Sequence, residues 1–161
     1  MISLEASLRH MAWSNQKFLE FFTSVPTSVF ALQASSEEWN IGRLLQHLLD
    51  SAEWYRYCLL GGELRSFQPI TSASDAKDCM SIIAVLDQIL IDNLQFDDEV
   101  LDIRENGNVF QASRALILTQ AGMHASEHKG QIATILKANG FHLDLDELDV
   151  WSYFSEVNLD F

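Results

Sequence analysis

Two imidazoles one helical turn apart, His124 and His128, stand in a run whose apolar members recur at helical spacing: Ile117, Ala121, His124, His128, Ile132 and Ile135. At about 100° per residue the two rings differ by about 40° around the helix axis, close enough to share one cation. On an apolar stripe such a pair must otherwise find polar partners or repel once protonated, whereas one metal ion uses both lone pairs and fixes both rings. A third donor is available in His47, which shares a face with Leu44, Ser51, Trp54 and Cys58 beside the main apolar stripe of an upstream helix. Spacing alone leaves two readings open, metal ligands or core histidines satisfied by ordinary hydrogen bonds. His10, on a face with Trp13 and Lys17, and His142, beyond Gly140, are expected to be surface or packing residues.

The elements that position these rings follow from apolar periodicity, which predicts five helices and no strand. The first, about 2–23, aligns Leu4, Leu8, Met11, Asn15, Phe18 and Phe22 and ends near Pro26; Asn15 there is an amide that needs partners on a neighbouring helix or in a pocket. The second, about 37–60, begins among Ser35, Ser36, Glu37 and Glu38, carries Ile41, Leu45, Leu48, Ala52, Tyr55 and Leu59, and stops at Gly61-Gly62. After a polar connection through Pro69 comes the third, about 75–95, with Cys79, Ile82, Leu86, Ile89 and Asn93 aligned. A fourth runs about 111–138 and closes at Asn139-Gly140, a left-handed cap, and a short fifth spans about 146–157. The expected architecture is all-α, one domain over 1–161, an antiparallel four-helix bundle with a short fifth helix, whose ligand sites would be built from inward side chains of facing helices. Trp13, Trp39, Trp54, Trp151, Tyr153 and Phe154 are expected in the core, with one or two of them available to line a substrate pocket.

Composition removes several functions. The net charge of −13 repels phosphate backbones, so nucleic acid is not expected as a partner. The acids cluster in 87–105, with Arg104 as the single base, and in 144–160, with none. Cys58 and Cys79 form no Cys-x-x-Cys pair and are expected as buried free thiols, which sets aside a zinc knuckle or a disulfide scaffold. There is no basic leader before an apolar run and no apolar stretch long enough for a membrane span, so a cytoplasmic location is expected.

Two motifs give the chain a family likeness. The run His124-Ala125-Ser126-Glu127-His128-Lys129-Gly130-Gln131-Ile132, with Trp39-Asn40-Ile41-Gly42-Arg43-Leu44-Leu45-Gln46-His47-Leu48 upstream and Trp13 and Asn15 in the first helix, resembles the DinB/YfiT-like metalloenzyme family over nearly the whole chain. The resemblance implies that His47, His124 and His128 are the three protein ligands of a divalent metal, with water in the remaining positions, and that the protein is a homodimer. Lys129 stands where Arg is commoner in that family, which is expected to alter donor geometry beside the site and not the ligand set.

Three neutral imidazoles would leave the ion's charge uncompensated and a coordination position open, as in catalytic sites. Such a centre activates either water or a thiol. Thiol-using transferases and isomerases in the wider family turn the expectation toward a small-molecule substrate and a low-molecular-weight thiol, ahead of hydrolysis; a non-catalytic metal or small-molecule binding module is the competing class. Zinc and nickel lead as the metal, followed by iron. Asp50, Glu127 and Gln131 are candidates to orient the imidazoles, while the absence of His-Glu-x-x-His and of Glu-x-x-His excludes a metalloprotease-type base and a di-iron carboxylate centre.

Overall fold

Five polar side chains start the five α-helices of the computed structural model, which describes residues 3–157. Ser3 caps α1 (Leu4–Phe22), Asn40 caps α2 (Ile41–Leu60), Ser72 caps α3 (Ala73–Asp92), Ser113 caps α4 (Arg114–Ala138) and Asp149 caps α5 (Val150–Glu156). Each accepts a backbone N–H of the first turn that has no partner within its helix. The expected start of α2 moves from 37 to 41 because Ser35–Glu38 form turns and Asn40, whose side chain takes the Arg43 N–H at 2.9 Å, sets the boundary. At the far end of α4 the expected cap is present: Gly140 has φ 80°, and Phe141 N–H reaches back to the Leu136 carbonyl at 3.0 Å. Ile2, where periodicity begins the first helix, and Asp160 of the acidic stretch lie outside the described residues.

The all-α expectation needs one correction. Residues 100–113 form an antiparallel hairpin, β1 (Val100–Glu105) with β2 (Asn108–Ser113), in a register running from Val100 opposite Ser113 to Glu105 opposite Asn108. Asn106 and Gly107 close it with φ of 50° and 80°, the mirror-image turn that an Asn-Gly pair favours. Strand pairing also delays α4, expected at 111, until Arg114. Only Ile103 of the hairpin is fully buried, so the alternation is faint. Two joints hold the hairpin: Tyr57 Oη donates to the Arg104 carbonyl at 2.6 Å, and the Arg114 guanidinium donates to Asn93 and Glu99, each at 2.6 Å, and to the Asp97 carbonyl at 3.1 Å.

Helices α1 and α2 each pack against both α3 and α4. Phe18, Phe22, Leu44, Leu45, Leu86, Leu118 and Ile132 fill the space between them, and Cys58 and Cys79 are buried free thiols. The aromatic expectation holds for Tyr153 but not for Trp39 and Trp151, which are 46% and 70% exposed. Among the described residues no helix is long and apolar enough to cross a membrane.

The connector between α2 and α3 is tied to α2 at three places, one of them Phe67, whose backbone N–H and carbonyl bond Asp50 and Gln46. At Gly42, Ile70 N–H donates to the glycine carbonyl at 3.1 Å, and the Ile70 carbonyl oxygen lies where a Cβ would be. Gly42→Ala must displace backbone and is expected to cost about 2 kcal/mol in urea denaturation; an unchanged midpoint would show that the connector yields freely. About three turns further along α2, the carboxylate of Glu53 is 0% exposed and takes hydrogen bonds from Arg56 Nη2 at 2.7 Å and Arg65 Nη2 at 2.6 Å, while Arg56 also caps the Gly61 and Glu63 carbonyls.

Burial pushes Glu53 upward, but the hydrogen bonds from Arg65 and Arg56 outweigh it and hold the carboxyl at about 2. Because this is below the unfolded value, the contribution is complete above about pH 5 and disappears as pH falls toward 2. Glu53→Gln is therefore expected to remove about 2 kcal/mol at neutral pH and to flatten the acid limb of the stability curve. Equal acid sensitivity of variant and wild type would count against this assignment.

Candidate metal centre

The packing of α2 on α4 brings together the three histidines that the sequence singles out. Their candidate ligand atoms all lie within 4.8 Å of one another, and each ring is half-buried. Ring centroids are separated by 5.0 Å for His47 and His124, 4.8 Å for His47 and His128 and 4.4 Å for His124 and His128. The flanking members of the α4 stripe, Ile117, Ala121, Ile132 and Ile135, are buried, so they fix the helix face while the rings stand at its rim.

The Nε2 atoms of His124 and His128 are 3.1 Å apart. Two imidazoles at ordinary zinc–nitrogen bond lengths and a tetrahedral angle place their nitrogens about 3.4 Å apart, so the pair needs little adjustment to receive an ion. His128 Nδ1 lies 3.0 Å from Gln131 Oε1. The amide oxygen can only accept, so it selects the Nδ1–H tautomer and leaves the His128 Nε2 lone pair facing the cluster. Burial lowers the His47 pKa, reinforced by His128 and Arg43 and opposed by Asp50. Burial, then His128 and His47, lower His124 to about 4, against the pull of Glu127. Both rings are thus neutral near pH 7, the form in which imidazole binds metal. Trp39 stands edge-on to His47 at 5.0 Å and Tyr55 edge-on to His124 at 6.1 Å.

The three candidate orienting residues are placed differently. Gln131 meets His128 directly. Asp50 is spent on the connector: Oδ1 accepts Phe67 N–H at 3.0 Å and Oδ2 accepts from Gln46 Nε2 at 3.1 Å. Glu127 is exposed and lines a groove of about 770 Å³ between α1 and α4 that contains none of the three histidines. That groove is large and apolar, but the converging nitrogens, and not the volume, locate the chemistry. His10 bonds the Leu148 carbonyl at 2.8 Å and packs on Trp13 and Tyr153; His142 is exposed beside Asp144.

Lys129 departs from expectation. It follows His128 in sequence but points the other way, buried against α1, where Nζ donates to Ser14 Oγ at 2.5 Å and Asn15 Oδ1 at 3.0 Å. Asn15 Nδ2 in turn donates to buried Asp87 Oδ2 at 2.9 Å. The amide flagged by periodicity thus joins a lysine of α4 to an aspartate of α3. A cavity of about 20 Å³, room for a single water, touches Asn15, Asp87, Ser51, Tyr55 and His124. Sequence reading missed Asp87 because it sits one position from Leu86 on a helix that is apolar on several sides.

A mostly helical chain with a three-histidine cluster that could hold a metal ion is the class this geometry defines. Residues 1–144 match the family model described as the DinB family, and the chain belongs to that family. No curated protein matches the chain.

Proposed function

We propose that this protein is a metal-dependent transferase of a low-molecular-weight thiol, built on an antiparallel four-helix bundle of α1–α4, with His47, His124 and His128 as the ligands of one divalent ion, zinc or nickel. The observation that carries the reading is the convergence of three imidazole nitrogens within 4.8 Å with no carboxylate or thiolate among them. Closed structural zinc sites are usually rich in thiolates, whereas three neutral donors favour an anionic fourth partner. When bound, the ion supplies a Lewis acid that holds a thiol in its anionic, nucleophilic form.

The chain's own residues perform the remaining tasks. Gln131 fixes the tautomer and plane of His128. Burial keeps His47 and His124 unprotonated. Trp39 and Tyr55 wall two of the rings.

The test is elemental analysis of untagged protein together with a turnover screen of small thiols against alkylating electrophiles. One metal per chain and thiol transfer are expected in the wild type, and neither in His124→Ala. Turnover that persists unchanged in the variant overturns metal-dependent catalysis. Failure to take up added zinc or nickel overturns the site.

A further inference from the structure

One flank of the histidine cluster carries an exposed cation, Arg43, which reaches the nearest acid of α2, Asp50, only through the Gln46 amide. Arg43 lies one turn before His47 on α2, and its guanidinium carbon is 5.5 Å from the centroid of the Trp39 ring, which itself abuts His47. Arg43 Nη1 donates to Gln46 Oε1 at 2.9 Å, and Gln46, buried, is fixed through its Nε2 by Asp50 at 3.1 Å and the Phe67 carbonyl at 2.6 Å. The guanidinium is therefore held by a stack on one side and a neutral amide on the other. Arg9, Arg56, Arg65 and Arg114 each pair with a carboxylate, whereas Arg43 and Arg104 enter no ion pair among the described residues; of these two, Arg43 stands beside a histidine of the cluster and Arg104 lies on the hairpin.

Arg43 is exposed, so its guanidinium is open to a partner from solvent. Asp50 is the nearest acid on the same helix, yet both its oxygens are engaged elsewhere. With a divalent ion held by the three imidazoles, Arg43 would add to the positive charge on this flank, a field that attracts anions. One anion would be the sulfur of a thiol held at the metal. A second anionic group of the same molecule would meet the guanidinium, whose planar donors match a carboxylate.

We propose that Arg43, steadied by Trp39 and Gln46, receives a carboxylate of the thiol substrate, so that the substrate class is a small thiol that also carries a carboxylate. This rests on the metal reading above. The test uses the full chain loaded with cobalt(II) and follows the sulfur-to-cobalt charge-transfer band during titration with 3-mercaptopropionate and with its methyl ester, which has the same skeleton without the charge. The acid is expected to bind about tenfold more tightly than the ester, even though the protein's overall field repels it. Arg43→Gln should bring the affinity for the acid down to that for the ester, and Arg43→Lys should retain part of the preference. Equal affinity of acid and ester in the wild type overturns the assignment whatever the variants do, as does a preference that survives in Arg43→Gln. If cobalt is not taken up, or neither thiol produces the band, the metal or thiol reading has failed and the inference falls with it.

Discussion

Zinc affinity is expected to fall by two orders of magnitude or more when His47, His124 or His128 is replaced by alanine, and by about one order in Gln131→Leu, as read by competition with a chromophoric chelator. The two magnitudes separate two roles. A ligand variant removes a bond to the ion outright and leaves two donors that cannot hold it against water. Gln131 donates nothing to the ion; it holds His128 Nδ1–H at 3.0 Å, and losing such an orienting acceptor typically costs 10–100-fold. His47 is the most informative of the three because it comes from α2, 77 positions before His124 and on a separate element. If His47→Ala binds as tightly as the wild type, the site reduces to an α4 pair and the positioning of Arg43 beside it loses its purpose. If Gln131→Leu is indistinguishable from the wild type, the amide is a surface neighbour of the ring and nothing more.

The histidine cluster was legible because helical periodicity is a strong signal over the 25 residues of α4, and two rings four positions apart must lie on one face whatever the tertiary fold. His47 was legible for a weaker reason: α2 is broadly apolar, and which of its faces meets α4 depends on packing that spacing does not specify. The hairpin escaped because a two-stranded ribbon with one buried side chain, Ile103, has almost no amphipathic alternation, although Asn106-Gly107 was a usable turn signal. The Glu53 knot could not be read at all. Arg56 is a helical neighbour of Glu53, but Arg65 arrives through a connector whose path is set by Gly42 meeting Ile70. Arg43 was visible as a residue of the motif, but its lack of an acid partner is a property of the surroundings and emerges only in three dimensions.

Lys129 offers the second large effect, and it concerns stability and not the metal. Lys129→Met is expected to destabilise the protein by about 3 kcal/mol at pH 7, where Asp87 is ionised and Lys129 still carries its proton, because it strips the donor from Ser14 Oγ and Asn15 Oδ1 and leaves Asp87 buried without its cation. In the wild type, burial raises Asp87 to about 6, against the Asn15 hydrogen bond and the attraction of Lys129, and burial lowers Lys129 to about 8 against the attraction of Asp87. Removing the lysine takes away the charge part of that opposition and leaves the Asn15 hydrogen bond, so the carboxyl of the variant moves further above 6. A carboxyl whose folded pKa is raised costs stability progressively as pH climbs from its unfolded value through its folded one. The deficit should therefore be smaller near pH 5, where Asp87 takes a proton, and grow toward pH 7; urea denaturation at the two pH values reads it directly. Adding Asp87→Leu should recover much of the loss, since an apolar replacement of both charged ends leaves less buried and unpaired than removal of one. Zinc content should stay at the wild-type level, because Lys129 points into α1 while the histidines of the same helix face α2. A deficit that is the same at both pH values would mean that Asp87 is not the group being left behind, and lost zinc would mean that the lysine is coupled to the histidine face after all.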